Sequence, residues 1–185
     1  MPLPTEPAIR WAVPADIPEL VRLCAEHAAF EYADYDPAGK AERLAQHLFG
    51  PQPRARCLVV DGDRPGHLLG YASFTEEFST WDADPYTHVD CLYLRPGGRN
   101  RHLGWQMGKR IAAEALASGS QGIQFQTPPF NRPAIRLYEA MGARRKEKVR
   151  FYGNADEMRR FVAARGPAGP ADSEAMRPAL QPAAA

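Results

Sequence analysis

The segment of residues 131–143 constrains the fold more than any other part of the chain, because it encodes both ends of a helix. Asn131 suits the position before the first turn, where its side-chain oxygen can accept a bond from an unpaired amide. Pro133 suits the first turn, and Gly142 suits the left-handed position just after a helix. The spacing i, i+3, i+4 and i+7 of Ala134, Leu137, Tyr138 and Met141 predicts a buried stripe that includes the tyrosine.

The composition is that of a globular protein with one domain of ordinary size. The chain has 185 residues, of which 44% are hydrophobic and 24% charged, so it can bury a real core. A formal net charge of +1 predicts no bulk attraction to nucleic acid or to anionic membranes. No apolar run approaches the roughly 20 residues that cross a bilayer. Residues 1–6 show no secretory signal, and we therefore expect a cytoplasmic protein.

The cysteines and histidines predict neither disulfides nor a metal site. Cys24, Cys57 and Cys91 are odd in number, widely spaced and embedded in apolar patterns, which is typical of reduced, buried thiols. The five histidines have no metal-ligand spacing with these cysteines. We expect no structural metal.

Hydrophobic periodicity predicts the element order β-α-α-β-β-β-α-β-α-β, followed by a short helix after Asn154. Besides the helix after Asn131, helices are predicted from Ile17, over residues 40–49 and from Leu103 to Ala115. The predicted strands are residues 8–13, 56–61, 67–75, 86–95, 122–127 and 144–152. This order predicts an α/β protein with three layers around a mixed sheet. We assign residues 1–165 to the domain and the Pro- and Ala-rich residues 166–185 to a flexible tail.

A basic loop joins the fourth strand to the third helix. Residues 91–113 include no Asp or Glu but five basic residues, which are Arg95, Arg99, Arg101, Lys109 and Arg110. Backbone amides at a helix start, flanked by arginines, form an anion site suited to phosphate. The loop could therefore hold a pyrophosphate. The alternative is a glycine-rich turn whose arginines are simply solvated.

Two motifs in register carry a resemblance to a known family. Leu92-Tyr93-Leu94-Arg95-Pro96, followed by Arg99-x-x-x-x-Gly104, resembles the acyl-CoA-binding motif of the GNAT N-acetyltransferases. The helix Asn131-x-x-Ala134-x-x-x-Tyr138 resembles their next signature. The resemblance covers roughly residues 8–165, and it implies a GNAT-like αβα fold around a mixed, mostly antiparallel central sheet.

Within that superfamily the nearest likeness is to diamine (spermidine/spermine-type) acetyltransferases. It rests on Phe30-Glu31-Tyr32, on Phe49-Gly50 leading to Cys57-Leu58-Val59, and on the acidic and aromatic stretch 74–90.

The resemblance implies acetyl-CoA, or another acyl-CoA, as the donor. Backbone groups beside Tyr93, those of Leu92 and Leu94, would bond the pantetheine arm on a strand splayed from its neighbour. Asn131 would contact the pantetheine, and the Tyr138 hydroxyl would protonate the leaving thiolate. The pyrophosphate would be bound by the loop of Arg99, Asn100, Arg101, His102, Leu103 and Gly104.

This loop departs from the family pattern at Asn100 and His102, which occupy two glycine positions. Glycine is favoured there for close backbone approach and permissive φ. A His in the left-handed region costs on the order of 1 kcal/mol or more. The loop therefore either binds CoA with altered geometry or has lost tight CoA binding. In the second case the donor would be an acyl group on a carrier protein.

A segment of opposite charge precedes the basic loop and predicts the acceptor side. Residues 76–90 contain five acids and neither Lys nor Arg, with Phe78, Trp81 and Tyr86 interleaved. Such a segment, including Trp81 and Asp82, would attract a small cationic amine and hold its methylene chain. Glu31 and Tyr32, after the first helix, would build a second wall. The alternative is a solvated acidic loop.

The expected chemistry is direct attack of a primary amine on the thioester, because no cysteine has a recognisable Cys-His arrangement for an acyl-enzyme. By position, Asp90 matches an acidic residue that accepts the amine proton in diamine acetyltransferases. Glu76 or Glu77 could substitute, and Asp90 could instead be structural. A carrier-dependent biosynthetic acyltransferase and a non-catalytic ligand-sensing module stay open as alternatives. Many proteins of this fold dimerise, so a homodimer is one expectation, although the sequence shows no interface.

Overall fold

The computed structural model describes residues 7–164 of the chain. The strands are β1 (Ile9–Trp11), β2 (Arg56–Asp61), β3 (Leu68–Ser79), β4 (Asp84–Leu94) and β5 (Gly122–Phe125). The helices are α1 (Ile17–Phe30), α2 (Lys40–Phe49), α3 (Leu103–Ala117), α4 (Arg132–Ala140) and α5 (Ala155–Ala163). None of these helices is long and apolar enough to cross a membrane. The predicted element order is confirmed as far as α4, and so is the helix after Asn154.

The strands form one mixed sheet in the order β1-β2-β3-β4-β5. Adjacent strands from β1 to β4 run antiparallel to each other, whereas β5 runs parallel to β4. A parallel neighbour requires a crossover, which α3 provides between β4 and β5. The predicted mixed, mostly antiparallel sheet is therefore confirmed.

Helices cover both faces of this sheet, which confirms the three layers. Side chains alternate along a strand, so Val59 of β2 packs on the α1 side while Leu58 packs on the α3 side. From α1, Leu20 and Leu23 complete the first core. The second core contains the predicted apolar positions of α3, which are Leu103, Met107 and Ile111.

The acidic segment forms a β-hairpin and is not a loop. β3 extends to Ser79 and β4 starts at Asp84, so both strands are longer than the predicted residues 67–75 and 86–95. Cross-strand contacts explain the extension. Tyr86 donates a hydrogen bond to Glu77 across the hairpin, at 2.8 Å. At the tip, the Ser79 hydroxyl donates to Asp82 at 2.6 Å.

The described chain forms two compact units, one that ends at Arg145 and one that begins at Lys146. The second contains α5, which is capped by the Asn154 side chain. The strand predicted over residues 144–152 is wrong, since they take part in none of the ladders within residues 7–164. A residue with high strand propensity stabilises a strand only when it packs against a partner strand. Phe151 has no such packing here and is 90% exposed. The predicted tail, residues 166–185, lies outside the described residues.

Candidate active site

β4 and β5 separate halfway along β4. They pair only over residues 86–89 and 122–125, whereas β4 continues to Leu94. Against β3, the register of β4 passes from Val89 to Cys91, so Asp90 is the extra residue of a β-bulge. A bulge bends its strand and increases the local twist. The bulge thus lies where the parallel neighbour is lost.

The backbone of Leu92 and Leu94 points to the side from which β5 has diverged. The amide of Arg95 bonds the carbonyl of Leu69, which marks that cross-strand pair as hydrogen-bonded. Bonded and non-bonded pairs alternate in an antiparallel ladder, so Tyr93 also bonds β3. Leu92 and Leu94 are the intervening non-bonded positions. The two residues whose backbone was predicted to bind pantetheine therefore face the gap.

The loop before α3 keeps a glycine-like backbone at both departures from the family pattern. Asn100 has φ of 58° and His102 has φ of 56°, so both adopt the left-handed conformation. His102 immediately precedes α3, and its side chain does not cap the first turn. The first-turn amides of Leu103 and Gly104 are then available to an anion. Asn100 and His102 therefore carry local strain, but they keep the left-handed backbone conformation that glycine favours.

Two arginines of the predicted basic loop have different roles. Arg95 is only 15% exposed, and it is paired with Glu19 and, at 2.6 Å, with Glu26 of α1. Burial is the largest single influence on Glu19 and disfavours its charged form, but the hydrogen bond and charge of Arg95, with bonds from Leu68 and Arg22, together outweigh it and lower the pKa of Glu19. Arg99 instead donates to the Leu94 carbonyl at 2.9 Å. Arg95 is therefore structural, whereas Arg99 borders the gap.

Asn131 and Tyr138 occupy the start and the middle of α4. The Asn131 side chain accepts a bond from the Ala134 amide at 3.4 Å, which confirms the predicted cap, and donates to Thr127 at 2.9 Å. Tyr138 and the rest of the predicted stripe are only half-buried, so the stripe is less buried than predicted. Burial, with smaller contributions from Glu31 and Cys91, raises the pKa of Tyr138 to about 12. Its hydroxyl therefore holds its proton at neutral pH, as a general acid requires.

The end of α1 approaches α4 through aromatic contacts. Phe130, just before α4, packs edge-on against Phe30 at 6.2 Å and against Tyr32 at 5.4 Å between ring centroids. Between these aromatic residues, Glu31 lies close enough to Tyr138 to affect its titration. The negative charge of Asp90 likewise favours a higher pKa for His27 of α1. The charge of Glu31 thus acts on Tyr138, and the charge of Asp90 acts on His27, the partner of Glu31.

Trp81 and Asp82 do not join these residues within one chain. They lie at the tip of the hairpin, where Trp81 is 94% exposed. Asp84 and Asp90 are six positions apart in β4, which corresponds to roughly 20 Å of extended strand. The two candidate acceptor walls are therefore separated in this chain. Glu77, considered as a substitute base, is already bonded to Tyr86.

Sequence reasoning missed three residues of the site region. His27 forms an i,i+4 pair with Glu31, a spacing that the sequence did display. Phe130 directly precedes the capping Asn131, which could have suggested its place. Tyr71 carried no such signal, because only the sheet register brings it beside α1.

The model of the acetyltransferase (GNAT) family matches residues 20–143 of this chain. A mouse thialysine N-ε-acetyltransferase is 28% identical over 141 residues, which cover 73% of this chain and 82% of the mouse protein. A human spermidine/spermine N(1)-acetyltransferase-like protein 1 is 26% identical over 140 residues, covering 73% of this chain and 20% of that protein. The crystal structure of a ribosomal-protein-alanine N-acetyltransferase from Brucella melitensis superposes with a TM-score of 0.65 at 19% identity, covering 80% and 99% of the two chains.

The chain belongs to the acetyltransferase (GNAT) family. Its fold and its family together define it as an N-acetyltransferase.

Proposed function

We propose that this enzyme transfers an acetyl group from acetyl-CoA to a primary amine of a small, cationic acceptor. The charge of the described surface supports a cation, because the charge of Glu31 acts on Tyr138 and the charge of Asp90 acts on His27, the partner of Glu31. The names of the mouse and human relatives also refer to amine substrates, a thialysine and a polyamine.

The observation that carries the proposal is the direction of the Leu92 and Leu94 backbone towards the gap beside β4. Pantetheine is a chain of amides, and exposed strand edges bind such chains through backbone hydrogen bonds. The left-handed residues Asn100 and His102 leave the start of α3 able to bind a pyrophosphate. The residues present therefore fit an acyl-CoA.

The bound donor supplies a thioester carbonyl as the electrophile. Asp90 accepts the proton of the acceptor ammonium, directly or through a water molecule, because only the free amine has a lone pair for attack. Backbone N–H groups of β4 stabilise the negative charge that develops on the carbonyl oxygen. Tyr138 then donates its proton to the departing sulfur.

Isothermal titration calorimetry with acetyl-CoA, and with CoA as a control, tests the donor. We expect a dissociation constant in the micromolar range, roughly −8 kcal/mol of binding free energy. Absence of binding up to about 1 mM would refute free acetyl-CoA as the donor and favour a carrier-bound acyl group. Acetylation assays with diamines, lysine analogues and aminoglycosides, against a neutral amine, then test the acceptor class.

A further inference from the structure

A chain of polar contacts runs from the buried sheet to Glu31. The Tyr71 hydroxyl lies 3.2 Å from His27 Nδ1, and His27 Nε2 lies 3.3 Å from a carboxylate oxygen of Glu31. Tyr71 is buried, and the His27 side chain is 14% exposed. The His27 ring is also stacked on Tyr93, with centroids 5.1 Å apart. The imidazole is thus held on both nitrogens and on one face.

The partners determine which His27 nitrogen carries the proton. A carboxylate only accepts hydrogen bonds, so Nε2 must carry the hydrogen that it donates to Glu31. In the neutral ring Nδ1 is then an acceptor, and the Tyr71 hydroxyl is the donor that it requires. Burial raises the pKa of Tyr71 far above its ordinary value, so this hydroxyl keeps its proton.

The surroundings keep His27 neutral. Burial lowers the pKa of His27, against the opposing attraction of Glu31 and Asp90. The other titratable groups around it are the buried Tyr71 of β3, Tyr93 and Cys91 of β4, and Cys24 of α1. Burial raises the pKa of the Cys91 thiol to about 12, and it also raises the pKa of Cys24. The negative charges of Glu31 and Asp90 favour the protonated ring, and the guanidinium of Arg99 lies over the Tyr93 ring on which His27 stacks.

We propose that Tyr71 and His27 are positioning residues, which fix the Glu31 carboxylate in the orientation that receives the cationic acceptor. Glu31 is the residue that follows the last turn of α1, where its carboxylate would otherwise sample several rotamers. The Nε2–H bond restricts it to one of them, beside Tyr138. Neutral His27 also leaves the full negative charge of Glu31 for the acceptor. This proposal depends on the proposed function only for the identity of the acceptor.

Nuclear magnetic resonance of the ¹⁵N-histidine-labelled protein tests the contact chain without turnover. We expect the wild type at neutral pH to show His27 as the Nε2–H tautomer. Tyr71→Phe removes the donor to Nδ1 and keeps the ring; because Glu31 still requires hydrogen on Nε2, we expect the Nε2–H tautomer to persist with a shifted Nδ1 resonance. A wild-type His27 that is the Nδ1–H tautomer or an imidazolium at neutral pH would overturn the proposal.

Steady-state kinetics test the effect on the acceptor. In His27→Leu, the KM for the amine should rise roughly tenfold, as for loss of one hydrogen bond to a charged group, with the KM for acetyl-CoA unchanged. His27→Gln can donate to Glu31 and accept from Tyr71, so it should restore the amine KM to within about threefold. Equal amine KM values for the wild type and both variants would refute the role of His27.

Failure of the two proposals can be told apart. A wild type that acetylates no amine refutes the proposed function and with it the acceptor role of Glu31. The tautomer measurement still decides whether Tyr71 and His27 orient that carboxylate. If His27→Leu does not fold, the comparison of His27→Gln and Tyr71→Phe with the wild type decides the kinetic part.

Discussion

Tyr138 is stacked on Phe125, with ring centroids 4.4 Å apart and an interplanar angle of 17°. Phe125 is the last residue of β5 and pairs with Val89, the last residue of β4 before the bulge at Asp90. The ring that carries the candidate acid is therefore positioned by the sheet as well as by its own helix. The stacking connects it to the point where the strands separate.

Tyr138→Phe should lower kcat by roughly 10- to 1,000-fold, because the phenyl ring can stack but cannot donate a proton. The KM and the dissociation constant for acetyl-CoA should change little. Since the pKa of Tyr138 is raised to about 12, activity of the wild type should not fall through loss of this proton below about pH 10. An unchanged kcat would remove Tyr138 from the mechanism. Tyr152→Phe, an exposed tyrosine in the second unit, is the matched control.

Asp90→Asn should reduce kcat/KM for the amine by roughly 100-fold at neutral pH, since the amide cannot accept the ammonium proton. The deficit should shrink at high pH, where more of the amine is already unprotonated. Asp90→Glu should restore much of the rate, because it keeps the carboxylate. Full activity of Asp90→Asn, compared with the exposed Asp63→Asn as the control, would assign Asp90 a structural role.

His102→Gly should raise stability by about 0.5–1 kcal/mol, because glycine adopts positive φ without the steric cost of a Cβ. For a protein of this size that corresponds to a rise in Tm of roughly 1–4 °C. His102→Ala keeps the Cβ and should give no such gain. A lower Tm for the glycine variant would show that the His102 side chain contributes contacts that exceed the strain.

Stability should fall in acid through the pair of Glu19 and Arg95. The pKa of Glu19 is lowered in the folded protein, so the unfolded chain binds more protons as the pH falls below 4.5, the ordinary value. The contribution is therefore complete above that pH and is lost below it. Urea unfolding should show Glu19→Gln destabilised at neutral pH but approaching the wild type as the pH falls below 4.5. Parallel curves at all pH values would contradict this assignment.

Removal of the Arg95 guanidinium should be more damaging. Arg95→Met leaves the buried Glu19 with only the exposed Arg22 as an ion-pair partner, and we expect a loss of about 2 kcal/mol in urea unfolding at neutral pH. The exposed Arg101→Met is the control. A loss equal to that of the control would show that Glu19 is solvated without Arg95.

Local patterns were sufficient for much of the fold. The cap at Asn131 and the stripe of Leu103, Met107 and Ile111 depend on spacing within one helix, and both were predicted. The strand over residues 144–152 was not, because a strand depends on a partner that its own sequence does not name. The hairpin of β3 and β4 was predicted too short for the same reason.

The sequence by itself determined the family, the element order and the candidate residues Tyr138, Asn131 and Asp90, because motif spacing and periodicity are local properties of the chain. Only the tertiary structure decided that Asp90 is a bulged residue, that Leu92 and Leu94 face the gap, and that Arg95 is structural. It also brought Tyr71 to His27 across 44 residues of sequence. Sheet register and helix packing set these contacts, and both arise from long-range burial that no local pattern encodes.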